Sequence, residues 1–318
     1  MRLRTYLVGA FPRTASLIKS FRDYAKGKIA HSQLLDEINR SVKQVVGLQR
    51  ENNLTYLSDG MLTWDDLFRP VALSLNGVTV NGLSRWYDNN VFFKKPVIVD
   101  KVSCKKTFDN YFFNKDALHG LNAKAVLPDP FTMAVLSENR TGHRVDEVAI
   151  QLAEAIAEIA AGLDGVSQIQ LTAPTLVFKK PSKNELELAK QCVDIVKRKV
   201  GGELMLHMPF GSASNVFPHL LDFSADVIGI DLYRTSVKEI VDYSIGKKLF
   251  LGVLDGRNTL MESNEMVFKI VGDIVSKTGL GELDIGPCCE LEFLPYEVAA
   301  EKVRKLGELK KLEGERFG

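Results

Sequence analysis

The sequence predicts an α/β protein of the (β/α)8 TIM-barrel type, with a β-hairpin excursion after the second strand. Three observations carry that expectation. Short β-branched or apolar runs recur eight times along the 318 residues. Helical stripes separate most of them. The runs lack strict polar–apolar alternation, as expected of parallel strands covered on both faces. A doubly wound open sheet normally needs fewer repeats, whereas strand–helix units joined by right-handed crossovers and repeated eight times fit the barrel.

The runs lie at residues 6–9, 54–57, 124–127, 168–171, 203–206, 227–230, 249–253 and 283–286. Between them, Leu34, Ile38, Val42 and Val45 form one helical stripe. Val145, Val148, Leu152, Ile156 and Ile159 form another, and Val298, Val303, Leu306 and Leu309 close the chain, each with the spacing of a helix that buries one face. Residues 78–102 interrupt the repeat: two β-rich pieces flank Arg85-Trp86-Tyr87-Asp88-Asn89-Asn90, the pattern of a hairpin. Barrels of this type accommodate about 250 residues or more in one domain, so residues 1–318 are expected to form one.

Composition narrows the function. Lys and Arg number 41 against 40 Asp and Glu, so no global field draws the chain to nucleic acid or to a membrane surface. No apolar run approaches the roughly 18–20 residues of a membrane span, and the opening segment is too short for a secretory signal; a cytoplasmic location is expected. Cys104, Cys192, Cys288 and Cys289 are too few and too scattered for a disulfide framework. No Gly-x-x-x-x-Gly-Lys-Ser/Thr run, Gly-x-Gly-x-x-Gly turn or Gly-x-Ser-x-Gly elbow occurs, which leaves nucleotide binding and triad hydrolysis without support.

Active sites of this fold lie at the carboxyl ends of the strands. The residues after each run there include Phe11-Pro12-Arg13, Ser58-Asp59-Gly60, Pro128-Asp129-Pro130, Thr172-Ala173-Pro174, His207-Met208-Pro209, Asp231, Asp255-Gly256-Arg257-Asn258 and Pro287-Cys288-Cys289-Glu290. His207, Asp231 and Cys289 follow late runs, so the barrel should bring them to a common mouth. Imidazole, carboxylate and thiolate are three donors of the kind zinc takes; the alternative is a hydrogen-bonded core histidine beside a cysteine acting as a small hydrophobe. Arg13, Lys19 and Arg85 with Trp86 offer cations beside flat rings, a combination suited to an anionic, partly planar ligand. The alternative is a set of solvated surface cations.

Four segments together are similar to the amino-terminal half of cobalamin-independent methionine synthase. Gly9-Ala10-Phe11-Pro12-Arg13 with Tyr24-Ala25-Lys26-Gly27-Lys28-Ile29 resembles that half's opening. Ser84-Arg85-Trp86-Tyr87-Asp88-Asn89-Asn90 resembles its Thr-Lys-Trp-Phe-Asp-Thr-Asn segment, and Gly252-Val253-Leu254-Asp255-Gly256-Arg257-Asn258 its Gly-Val-x-Asp-Gly-Arg-Asn turn. Cys289-Glu290-Leu291-Glu292-Phe293-Leu294-Pro295-Tyr296 resembles its Cys-Ser-Leu-x-His-x-Pro-Tyr segment. The resemblance implies a barrel, a methyltetrahydrofolate-type donor, homocysteine as acceptor and a zinc ion, with no dedicated cobalamin domain. Arg13, Lys19, Arg85, Trp86 and Asn90 are the candidate substrate-binding residues.

Against the family's catalytic half the departures are systematic. The resemblance implies zinc ligands at His207, Pro209, Asp231 and Cys289, where the family has a His-x-Cys pair, a Glu and a Cys; proline cannot ligate through its side chain. The family's Ile-Gln-x-Asp-Glu-Pro reads Ile169-Gln170-Leu171-Thr172-Ala173-Pro174 here, without either carboxylate. The glutamate after the second strand falls near Gly60, next to Asp59, and the histidine after the seventh falls at about Gly256 or Arg257. These changes imply a barrel that assists methyl transfer to homocysteine with a separate zinc-bearing methionine synthase chain. The alternative is a stand-alone zinc-dependent methyltransferase, to homocysteine or another thiol, whose remodelled metal site is built from His207, Asp231 and Cys289, with Cys288 as a further candidate ligand. A decarboxylase of the uroporphyrinogen type fits the Phe-Pro-Arg turn and the Tyr-Asp-Asn-Asn stretch less well.

Overall fold

The computed structural model describes residues 1–105 and 113–317. Strands β1 (Arg2–Thr5), β4 (Ala123–Pro128), β6 (Val166–Thr172), β7 (Glu203–Met208), β8 (Val227–Asp231), β9 (Lys248–Leu254) and β10 (Glu282–Pro287) form one parallel sheet in the order β1-β10-β9-β8-β7-β6-β4. Residues 54–57 fill the remaining position. The Thr55 amide donates to the Thr5 carbonyl at 2.7 Å, the Leu57 amide to the Asn122 carbonyl at 2.9 Å and the Lys124 amide to the Leu57 carbonyl at 2.8 Å. This segment thus links β1 to β4, and the sheet is a curled barrel of the TIM type.

Two of the eight runs differ from expectation. The first strand is Arg2–Thr5, paired with Glu282–Ile285, and not residues 6–9. Its two arginines gave it a surface-like pattern, yet Arg4 is buried against Asp284. Residues 54–57 are apolar as predicted but pair as an isolated bridge, Leu57 with Ala123, and not as a strand.

Two apolar layers hold the barrel. The larger lies between sheet and helices. The helix His31–Glu51 buries Leu34, Ile38, Val42 and Val45, and the helix Val145–Ala161 buries Val148, Leu152, Ile156 and Ile159. Val145, which the sequence pattern placed in the same stripe, lies exposed in the first turn. Side-chain caps fix several helix starts: Thr14 accepts from the Leu17 amide, Ser263 from the Met266 amide, and Ser182 forms a reciprocal box with Glu185, each satisfying an amide that the helix leaves unpaired. The smaller layer, Tyr6, Val8, Met205, Val227 and Phe250, fills the barrel itself.

Strands β2 (Leu75–Arg85) and β3 (Phe92–Cys104) pair antiparallel, with Val78 opposite Ile98 and Arg85 opposite Phe92. The two-residue strand β5 (Glu138–Asn139) runs parallel to β3. The β3 edge is tied to the barrel's helical layer by Gln151, which accepts from the Val102 amide at 2.8 Å. Residues 86–91, at the turn of this hairpin, reach back over the carboxyl ends of the barrel strands. No helix among the described residues is long and apolar enough to cross a membrane.

Candidate active site at the carboxyl mouth

The amino-terminal end of the barrel is plugged by a buried polar network. Arg4 pairs with Asp284, Nη2 to Oδ2 at 2.5 Å, and with both oxygens of Glu203 at 3.1 Å. Tyr6 donates to Asp284, and Gln168 and Lys248 donate to Glu203, each at 2.7 Å or less. Lys124 donates to Gln168 Oε1 at 2.6 Å and lies 4.3 Å from the centre of the Tyr6 ring. Burial pushes the Lys124 ammonium well below the usual lysine range, because a charge inside the barrel loses its hydration. This network is the floor of the site.

Above the floor, side chains meet whose hydrogen-bonding capacity is incompletely used. Gln170 Nε2 donates to the Val8 carbonyl at 2.6 Å and to Thr172 Oγ1 at 2.9 Å, and stands 3.4 Å from His207 Nδ1. Its Oε1 has no partner, and neither has His207 Nε2. Gly229 makes space for the imidazole: a Cβ there would come within 3.0 Å of His207 Cδ2. Burial, aided by the nearby Lys124 charge, pushes His207 down to about 3, so the ring is neutral throughout the physiological range. Asp129 Oδ1 and Glu290 Oε2 are also buried without a hydrogen-bond partner. Buried polar groups are nearly always paired, so a group of orphans around one mouth is a mark of function.

Asp231, at the end of β8, spends both oxygens on backbone amides, Oδ1 on Tyr233 at 2.9 Å and Oδ2 on Phe210 at 3.2 Å. Burial raises its carboxyl to about 6 against the opposing effect of those amides and of Arg257 and Arg234. Cys288 and Cys289 follow β10 with sulfurs 3.9 Å apart, both fully buried. Burial and the adjacent Cys288 hold the Cys289 thiol well above its ordinary range. Gly256 brings the turn after β9 against this pair: a Cβ at 256 would lie 2.7 Å from Cys289 Sγ.

The hairpin tip covers the mouth. Asp88 meets Arg234 at 3.3 Å and Arg257 at 3.7 Å, so the tip is pinned to the turns after β8 and β9. Trp86 and Tyr87 pack on Phe210, which follows β7, with ring centres 6.2 Å apart in both pairs. Tyr87 and Phe210 adopt left-handed backbone angles, φ 51° and φ 75°. Such angles cost about 1–3 kcal/mol in non-glycine residues and cluster at sites of function.

The predicted ligand residues are placed as follows. Arg85 donates to the Asn89 carbonyl at 2.9 Å and to Asn90 Oδ1 at 2.6 Å, bracing its own turn. Arg13 is engaged by the carbonyls of Leu62 and Trp64 at 2.7 Å. Lys19 is a surface residue paired with Asp23 at 3.1 Å. Trp86 is buried in the aromatic cap.

His207, Asp231 and Cys289 all lie at the carboxyl ends of neighbouring strands. Among the described residues, however, no three His, Cys, Asp or Glu side chains converge as a metal site would require. The donor set does not fit zinc as it stands. Position 209 is proline and Asp231 is committed to two amides. Glu290 and Gln170 were quoted in sequence motifs but not picked out as site residues, whereas His207 was, as a metal ligand. An acid set directly between Cys289 and Leu291, at the carboxyl end of the last strand, is the signal that marks Glu290.

Residues 3–311 match the family model described as the cobalamin-independent synthase catalytic domain. The chain belongs to the cobalamin-independent methionine synthase family. The sequence motifs point to the same family, although they resemble its amino-terminal half and the matching model is that of the catalytic domain. Methionine synthases of Saccharolobus solfataricus and Sulfolobus acidocaldarius are 25% and 26% identical to this chain over 308 and 309 residues. Each alignment covers 95% of this chain, and 92% and 89% of the respective relative. A B12-independent methionine synthase from a Shewanella species, solved with selenomethionine, superposes with a TM-score of 0.80 at 18% identity, covering 98% of this chain and 97% of that one. At that identity the likeness concerns the fold. Within the methionine synthase family, the mouth described above stands where barrel enzymes keep their sites.

Proposed function

We propose that this methionine synthase-type barrel binds a folate-type methyl donor and assists methyl transfer to homocysteine together with a separate zinc-bearing chain. The observation that carries the reading is the state of the donor set. Pro209 offers no ligand, and Asp231 is turned to backbone amides. A methyl-accepting thiol needs its sulfur as thiolate, and a metal site or a lowered pKa supplies that state. His207, held neutral down to about pH 3, is too weak a base for the task. What the chain retains is a shaped mouth: the orphaned acceptors of Gln170 and Glu290, the free nitrogen of His207, and an aromatic cap. Donor binding is assigned to the cap side, where Arg85, Trp86 and Asn90 sit.

The test is a methyl-transfer assay with homocysteine and a methylfolate donor, run with the chain alone, with a zinc-bearing homologue alone, and with both. The reading expects little turnover by the chain alone and a higher rate for the mixture than for the homologue. An unchanged homologue rate removes it.

A second reading, a stand-alone zinc-dependent methyltransferase, is favoured by the match to the catalytic domain and by the unpartnered His207 Nε2. It requires Cys288, Cys289 or Asp231 to rearrange on binding metal. Metal analysis of protein purified without added zinc separates the two: near one equivalent supports the second reading, and under about one-tenth supports the first.

A further inference from the structure

The outer face of the β2–β3 hairpin carries an apolar, basic patch. Leu83 pairs with Lys94, and Arg85 with Phe92, across the two strands. Directly paired residues, and residues two apart on one strand, point to the same side of a sheet, so these four side chains share one face. Phe93 points the other way and is buried, with ring centres 5.0 Å from Phe68 and 5.7 Å from Trp86. The four-residue face is therefore the outward one, and Leu83 is 65% and Phe92 54% exposed on it. Arg85 is engaged by its own turn, whereas Lys94 has no ion-pair partner among the described residues. Large apolar side chains exposed side by side, rimmed by charge, mark an interaction surface.

A groove of the opposite charge lies between the helices Pro130–Leu136, Val145–Ala161 and Lys183–Lys197, with a volume of about 660 Å³. Phe131, Val135, Val145 and Leu188 give it an apolar lining, and Asp146 and Glu187 make it acidic. Asp146 is paired with Arg144 at the rim. Glu187 is exposed and has no ion-pair partner among the described residues. Each surface thus leaves one charge unused, Lys94 on the hairpin and Glu187 in the groove, and the two are opposite. Their placement allows a symmetric contact. β5 runs parallel to β3 with Glu138 beside Val97, so residues 92–96 and 135–137, which precede the paired positions, lie at the same end of the two strands. Face and groove are neighbours on one side of the molecule, and two copies related by a two-fold axis can each seat the face of one in the groove of the other. We propose that this chain forms such a dimer, with Leu83 and Phe92 of each copy entering the groove of the second and Lys94 meeting its acid. The proposal is independent of the methyl-transfer reading.

The test is sedimentation equilibrium of the full chain from about 1 to 200 μM, a range chosen because small interfaces associate weakly. A monomer–dimer equilibrium is expected within it. Lys94→Glu sets an acidic face against an acidic groove, and Glu187→Lys a basic face against a basic groove, so each variant alone should dimerise at least ten-fold more weakly than the parent. Mixed in equal amounts, the two complement each other. The acidic face of the first fits the basic groove of the second, and the basic face of the second fits the acidic groove of the first. Association in the mixture should return to within about three-fold of the parent at the same total concentration, and a gain on mixing cannot come from a folding defect. Phe92→Ser changes no charge at a position already open to solvent, and should weaken the dimer to a similar extent. A parent that stays monomeric up to the highest concentration overturns the proposal. So do single variants that associate like the parent, or a mixture that associates no more tightly than its two components apart.

Discussion

Asp88, at the tip of the β2–β3 hairpin, lies 3.3 Å from Arg234 in the turn after β8, joining residues 146 positions apart across the mouth of the barrel. The same carboxylate reaches Arg257, whose guanidinium stands 5.7 Å from the centre of the Phe210 ring. An excursion that leaves the barrel after residues 54–57 therefore returns as its cover. The apolar half of the cover is Trp86, Tyr87 and Phe210; the charged half is this three-residue cluster.

Removing the charged half should loosen the cover without unfolding the protein. Both partners of the Asp88–Arg234 pair are 40% or more exposed, and such pairs contribute about 0–1 kcal/mol. Asp88→Ala is therefore expected to shift the urea midpoint little. It should nevertheless raise acrylamide quenching of Trp86, measured with Trp64→Phe in the background, and the parent should show a similar rise in high salt as the pairs are screened. Unchanged quenching would mean that the aromatic contacts alone hold the tip.

Asp129 gives a pH-dependent prediction. It caps the helix Pro130–Leu136 through Oδ2, which accepts from the Thr132 amide at 2.8 Å, while Oδ1 is buried without a partner. Burial raises its carboxyl from 3.8 to about 6. A raised acid favours the folded state most below the unfolded value, near pH 4, and that contribution is lost as pH rises through about 6. The full effect corresponds to roughly 3 kcal/mol at about 1.4 kcal/mol per unit. Asp129→Asn keeps the cap and removes the titration, so its stability relative to the parent should improve between pH 4 and pH 8 by up to that order. Parallel stability curves for parent and variant across this range would contradict the assignment.

The fold was legible where burial is simple. Runs such as 227–230 and 249–253 are apolar on both faces because helices cover one side and the barrel interior the other, and the structure places strands there. The first strand was missed because its inward residue is Arg4, whose partners, Asp284 and Glu203, are 280 and 199 residues away. No local pattern distinguishes such an arginine from a solvated one. Chain order likewise brought His207, Asp231 and Cys289 to one end of the barrel, but not the direction of their donor atoms. That direction is decided by the Phe210 and Tyr233 amides and by the contact of Gly256 with Cys289. Arg85 beside Trp86 reads as a ligand clamp in sequence; what the sequence does not show is that Asn89 and Asn90, within the same turn, accept from its Nε and Nη2 and fix its position.

Gly256 should be sensitive to even the smallest side chain. A Cβ there would meet Cys289 Sγ at 2.7 Å and the carbonyl oxygens of Cys289 and Glu290 at 2.8 and 2.9 Å. Two of the three obstacles are backbone, so repacking cannot remove them, and overpacking of this kind costs about 1–3 kcal/mol. Gly256→Ala should lower the urea midpoint accordingly, and adding Cys289→Ala should recover only part of the loss. Full recovery in the double variant would show that the sulfur alone sets the limit.

Pro209→Cys separates a lost ligand from a misdirected one. If the missing thiolate were all that kept zinc from the mouth, a cysteine two residues after His207 would restore a soft donor and raise zinc content toward one equivalent. The geometry predicts a smaller effect. His207 Nε2 is free to bind, but Asp231 still accepts from the Phe210 and Tyr233 amides, and Cys289 must lose its proton in a buried setting. Zinc content should therefore rise above that of the parent yet remain below one equivalent, and methionine synthesis by the chain alone should not appear. Adding Asp231→Glu lengthens the acid by one methylene and frees it from the tight backbone contacts, and occupancy should increase further. Metal analysis after gel filtration in metal-free buffer reads both steps. Full occupancy together with homocysteine methylation in the single variant would show that Pro209 alone silences the site, and that the chain is one residue away from a self-sufficient enzyme.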